Sequence, residues 1–274
     1  MERMLGDDLK VTDGASAGGW IKPRLGGEFG AVTLQVPKGY EAYARIFHPA
    51  QDQQGNSVRW EEVAGALGTT AHREMQWHAI VGCSDVDELP SPKWPGSDPM
   101  TGQLYPPELD ALCEILATHT SEPDNCFFGL CTILAWTEDV VPPKEQEPLL
   151  KLPWGRDHVV LQGPLSAVDQ IGYRNRPRRG TTLHAAFVAP GEDQPEKSEL
   201  PEFSHQMSPN LIWPPDQSWL VASEVDFDST LIGGSAKLIN AIVESSALEA
   251  WRVEPPDSLA ADADRVNVVS ETSD

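Results

Sequence analysis

Basic residues are the scarce class in this chain: 20 lysines and arginines stand against 42 aspartates and glutamates, a formal charge of −22. That balance excludes general affinity for nucleic acid, whose phosphates need clustered Lys and Arg. It leaves open a basic protein partner, metal ions or plain solubility. Long apolar runs are missing too. No stretch approaches 18 apolar residues, and the N-terminal MERMLGDDLK lacks the apolar core of a signal peptide. The expectation is a cytoplasmic protein with no membrane partner.

Cysteine is sparse, with residues at 83, 113, 126 and 131, which in that compartment read as reduced buried thiols. Cys113, His119, Cys126 and Cys131 run as C-x5-H-x6-C-x4-C, without the tight C-x2-C knuckle of a structural zinc site. The GxSxG elbow, the P-loop, HExxH and the dinucleotide fingerprint are all absent, which lowers the expectation of an enzyme.

What is present suffices for a core: 40% of the residues are hydrophobic, nine of them tryptophan. Strands are expected at Ala31 to Val36, Tyr40 to His48 and the apolar run Asn125 to Trp136, and a strand pair at Leu149 to Gly163, broken by Pro153 and Gly155. Helices are expected through Trp60, Val63, Ala64 and Leu67 up to Gly68, over about Pro107 to Thr118, and over Ser235 to Val243, with a short one after Pro164. Leu183 to Val188 reads as a further short strand. No βαβ rhythm recurs, so the fold class is α+β: one domain with a mixed or mainly antiparallel sheet and a few short helices. Residues 1–20 read as a mobile N-terminal segment, 21–254 as the globular domain and 255–274 as an acidic tail that frays. Within the domain, 189–203 is rich in Pro, Glu and Ser and reads as an exposed loop.

The richest stretch is Ser218 to Gly234, SWLVASEVDFDSTLIGG. As a strand it would place Glu224, Asp226 and Asp228 on one side and Val221, Val225 and Phe227 on the other. Three carboxylates in a row need compensation from water, a cation or arginines. The row is a solvated sheet face, an acidic docking face, or a Mg²⁺ or Ca²⁺ site built on Asp226 and Asp228. Gly233-Gly234-Ser235 would open the following helix, whose free N–H groups attract anions.

Other constellations have two readings each. Arg174, Arg176, Arg178 and Arg179 crowd the segment YRNRPRRG, suiting an anionic ligand or the protein's own carboxylates. Trp213 and Trp219 flank Pro214-Pro215-Asp216 and either line a groove for a partner or cover the core. Among seven scattered histidines, His48 at the end of its strand is the candidate general base.

The blocks VPKGYEAYARIFHPA (36–50), KLPWGRDHVVLQGPL (151–165) and SPNLIWPPDQSWLVASEVDFDSTLIGGS (208–235) resemble those of an uncharacterised family of actinobacterial cytoplasmic proteins. The resemblance implies one folded unit over most of 30–254 and carries no catalytic residues. The expected function is a non-enzymatic protein-binding module, in the manner of an immunity or antitoxin-like protein, offering an acidic face to a basic partner and needing no cofactor. The alternative is a metal-dependent enzyme, with a cation such as Mg²⁺, acting on a phosphorylated or anionic small molecule.

Overall fold

The computed structural model describes residues 5–146, 148–174 and 204–268. The first strand, β1 (Lys10–Thr12), lies inside the segment expected to be mobile, and helix α1 (Gly14–Gly18) follows it. Next come β2 (Ala42–Phe47), the short ladder of β3 (Ala50–Gln51) and β4 (Ser57–Val58), and helices α2 (Trp60–Leu67), α3 (Trp77–Ile80) and α4 (Pro106–Ala117). Strand β5 (Cys126–Cys131) leads to α5 (Ala135–Val140), β6 (Leu150–Lys151) and β7 (Asp157–Gly163). A second small ladder joins β8 (Gly172–Arg174) to β9 (Ser204–Gln206). The chain ends in β10 (Leu211–Trp213), β11 (Leu220–Ala222), β12 (Ser229–Gly234), helix α6 (Ala236–Val243) and β13 (Ala250–Val253).

Nine strands form one sheet in the order β1-β7-β5-β10-β11-β12-β2-β13, with β6 also on β7. Every ladder among the described residues is antiparallel. The expected α+β class and single domain are therefore found. Both faces of the sheet are covered, which is why its strands read as nearly continuous apolar runs rather than alternating ones. On one face Ala44, Phe128, Ile212, Val221 and Ile232 meet α4 and α6 through Leu112, Leu116, Leu238 and Ile242. The residues in between, Tyr43, Leu211, Leu220, Ala222 and Leu231, face the other way. There they pack against Ile21, Val32 and Val36 of the 20–40 segment and against Leu259. A third cluster holds Trp60, Met75, Trp77 and Ile80 behind Phe47.

Several local signals have their expected outcome. Gly68 ends α2 in the left-handed region, φ 76°, which costs glycine little. Ser235 caps α6 by accepting the Leu238 N–H at 3.2 Å. Asn56 or Ser57, which the sequence offers as the cap of α2, lies too early: the N-cap position is Arg59, without a side-chain bond, and the Glu249 carboxylate accepts the N–H groups of Trp60 and Glu61 instead, at 2.6 and 2.9 Å.

Other expectations need correction. Ala31 to Val36 is a 3₁₀ turn, Val32–Leu34, not a strand, and the central apolar strand stops at Cys131. From residue 10 onward the N-terminal segment is pinned to β7, with Val11 opposite Leu161. A strand needs only backbone partners at an edge, so polar composition did not reveal it. The tail is likewise held as far as Asn267, whose side chain accepts the Thr70 N–H at 2.8 Å. Leu259 is buried, Asp257 pairs with Arg73 at 2.9 Å, and Asp264 pairs with His72 at 2.9 Å. The expected strand at 183–188 and the loop at 189–203 lie outside the described residues. No helix among the described residues is long and apolar enough to cross a membrane.

Candidate functional site

The acidic row is not a strand. Residues 223–228 form the loop between β11 and β12, closed by the Phe227 N–H donating to Glu224 O at 3.0 Å. Gly233 and Gly234, expected with Ser235 to open the following helix, instead lie inside β12 opposite Tyr43 and Ala42, and Ser235 alone begins α6. Their missing side chains make room: a Cβ on Gly233 would come within 2.5 Å of the Tyr40 ring, and one on Gly234 within 2.7 Å of Leu238.

Each carboxylate of the row has an arginine, though not from the expected cluster. Arg156, just after the Pro153–Gly155 turn, places Nε 2.8 Å from Glu224 Oε1 and also pairs with Asp226. Arg45 of β2 lies 3.6 Å from Asp228. Its side chain is 1% exposed and is held by Ser229 Oγ at 2.8 Å, by the Met75 carbonyl at 2.9 Å, and over the Phe47 ring. Burial pushes the carboxyls of Glu224 and Asp228 above their usual range, opposed by Arg156 and Arg45 respectively. Burial also lowers the Arg45 guanidinium, to about 10, so it stays charged at neutral pH. Asp226 and Asp228 each lie beside a fixed positive charge, which disfavours a divalent cation between them. Among the described residues no group of three His, Cys, Asp or Glu could hold a metal ion.

His48 follows β2 and its backbone N–H donates to Asp228 O at 2.9 Å, but its ring turns inward. Nδ1 donates to the Met100 carbonyl at 2.6 Å, so Nε2 is the acceptor for Thr230 Oγ1 at 2.8 Å. Ser223 Oγ then donates to Thr230 Oγ1 at 2.7 Å. With no exposed surface and a pKa lowered to about 4 by burial, this imidazole braces the loop. It is not placed to take a substrate proton.

Trp213 and Trp219 are fully buried. Trp213 stacks on Phe127 with centroids 5.5 Å apart, so neither ring is open to a partner. The zinc set is also split. Cys126 packs among the residues facing α4 and α6, whereas Cys131, five positions along the same strand, points to the opposite face. Of the arginine cluster, the backbone of Arg174 lies in β8, and Arg176, Arg178 and Arg179 lie outside the described residues.

Beside the loop is a narrow cleft of about 420 Å³, open solvent at its mouth included. Its polar end is made by Cys131, Arg156, His158, Asn210, Ser223 and Glu224, and its walls by Leu25, Leu34, Leu152 and Val225. Sequence reasoning missed this arrangement because it is built across strands. Cys131 and His158 are direct partners in the β5–β7 ladder, hence neighbours on one face. Asn210 ties the edges together, accepting from the Cys131 N–H at 2.9 Å and donating to Ser223 O at 3.1 Å.

Cys131 next to His158 resembles a nucleophile–base pair only in composition. Burial raises the thiol pKa and lowers that of His158 to about 4, so both are neutral. A nucleophilic cysteine needs the opposite shift. The His158 Nδ1 proton is already given to Arg156 O at 2.9 Å. The pair is therefore not set for proton transfer. Compared with family models, curated proteins and solved structures, the chain matches none.

Proposed function

We propose that this protein is a non-enzymatic binding module of the cytoplasm that receives a basic protein partner at the β11–β12 loop, in the manner of an immunity or antitoxin-like protein. One observation carries the reading. Beside the cleft, Glu224 and Asp226 share the single guanidinium of Arg156, and Asp226 is 69% exposed. The loop keeps a surplus negative charge beside Leu152 and Val225, which suits a lysine or arginine whose alkyl stem lies across those side chains while its head joins Arg156. The net charge of −22 would speed the encounter with a cationic surface. The four cysteines, all free and buried, support a reducing compartment.

The test is a random-peptide selection against the purified protein. Enriched peptides should carry Lys or Arg flanked by apolar residues, and their affinity should fall steeply with added salt. Charge reversal in Asp226→Lys should weaken them roughly tenfold or more. Selection without basic enrichment, or binding indifferent to Asp226→Lys, sinks the proposal.

A further inference from the structure

We propose that a second cleft, at the opposite end of β11, is a binding site for a small phosphate-bearing anion. The cleft encloses about 550 Å³, solvent-open part included, and is lined by Arg24, Lys38, Tyr40, Glu41, Gln217 and Ser218, among others. Backbone geometry joins the two segments that carry its cations: the Lys38 N–H donates to the Arg24 carbonyl at 2.9 Å. In a chain with twice as many acids as bases, an arginine and a lysine brought together would be expected to face carboxylates. Neither forms an ion pair among the described residues. Arg24 lies over the Trp20 ring, 5.1 Å from its centroid.

The nearby carboxylates are held by donors other than these cations. Glu41 accepts the Ala236 N–H at the start of α6 at 2.9 Å. Asp216 collects Thr120 Oγ1, Ser121 and the Ser218 N–H at 2.7 to 3.0 Å. The start of α6 is therefore taken, and the cations are the groups left over.

Two hydroxyls complete the cleft. Tyr40 Oη is buried with no partner among the described residues, and Ser218 Oγ has only the neighbouring Asp216 carboxylate. Unmet buried hydroxyls destabilise a fold and call for a reason. Unpaired atoms also occur in the closed core, as at Trp213 and Trp219, but Tyr40 belongs to a residue set that lines a cleft with two cations lacking an ion pair among the described residues. The Tyr40 ring is fixed by its close approach to Gly233. Ser218 follows Gln217, the sole described non-glycine residue with positive φ, at 55°. Left-handed backbone at such a residue is maintained by its surroundings and concentrates at ligand sites. Beside Glu41, whose carboxylate is turned to the Ala236 N–H, the lining offers the donors of Arg24, Lys38, Tyr40 and Ser218, and the complement of those donors is an anion rich in acceptors. A phosphate group, with three terminal oxygens, meets it better than a carboxylate with two.

Calorimetric titration of the full chain with inorganic phosphate and with glycerol 3-phosphate, at low ionic strength, tests the proposal. Saturable binding is expected, weakened at least tenfold in the double variant Arg24→Gln/Lys38→Gln and several-fold in Tyr40→Phe. Tighter binding of the ester would mark a phosphorylated metabolite as ligand, and tighter binding of the inorganic ion would mark free phosphate. The absence of saturable binding, or equal binding by the double variant, overturns the site. So does a Tyr40→Phe protein that melts higher without phosphate yet binds phosphate as tightly as the parent.

Discussion

The two ends of strand β11 handle charge in opposite ways. At its C-terminal end three carboxylates are matched by two arginines drawn from distant parts of the chain. At its N-terminal end Arg24 and Lys38 lie near carboxylates that are bonded elsewhere. The first arrangement is interlocked, and removing one partner strands another. The second has no such dependence, so its charges are free to answer a ligand. A matched pair is a stability device, whereas an unmatched cation in a −22 protein asks for a function.

Substitutions can break that contrast. The largest effect is expected for Arg45→Met, which leaves Asp228 against an apolar pocket and orphans the Met75 carbonyl. Losing one partner of a buried pair costs about 3–5 kcal/mol, and denaturant unfolding should show a loss of that order. A loss under about 1 kcal/mol would mean that Asp228 relaxes into solvent.

Next is the pH response of the acidic end. His158, with a folded pKa of about 4, stays neutral in the fold while an unfolded imidazole protonates near 6.5. Its contribution is complete above about pH 6.5 and is lost as pH falls toward 4. Glu249, raised to about 7 by burial, acts in the reverse sense, so the comparison must be between variant and parent. Between pH 7 and 5 the drop in unfolding free energy should be smaller in His158→Gln by about 2 kcal/mol. Parallel pH profiles would refute a buried neutral His158.

The smallest effects sharpen the comparison most directly. Arg156→Gln should lower stability by about 1 kcal/mol, since Glu224 is only partly accessible. Arg24→Gln, which strands no carboxylate, should change stability within about 0.5 kcal/mol. Equal losses from the two would erase the distinction between matched and unmatched ends.

Much of the fold was legible because its signals are local. The α4 stripe Leu109, Leu112, Cys113 and Leu116 is buried as its spacing predicts. The Ser235 cap and the Gly68 stop also act within a turn of their own residue. The acidic row was misread because SEVDFD alternates as a strand does. What makes it a loop is the pairing of Ser229 with Phe47, set 182 residues away. The same distance hid Arg45 as the partner of Asp228, although an arginine inside AYARIF was a sign that something would have to meet it. Arg156 carried no sequence signal of its own, and the Cys131–His158 cross-strand pair exists only once β5 and β7 are in register.

The position of β2 has a consequence for how the chain is made. This strand lies between β12 and β13, both encoded near the other end of the sequence. During synthesis its two hydrogen-bonding edges must wait for roughly 200 further residues, about 10–40 s at ribosomal speeds. Until then an apolar strand with two open edges is a template for wrong partners. Arg45 inside the strand and His48 just beyond it are the polar side chains that interrupt its apolar run. A nascent chain stalled before residue 229 should therefore be the species that chaperones hold or that aggregates, while one released past residue 253 can close its sheet.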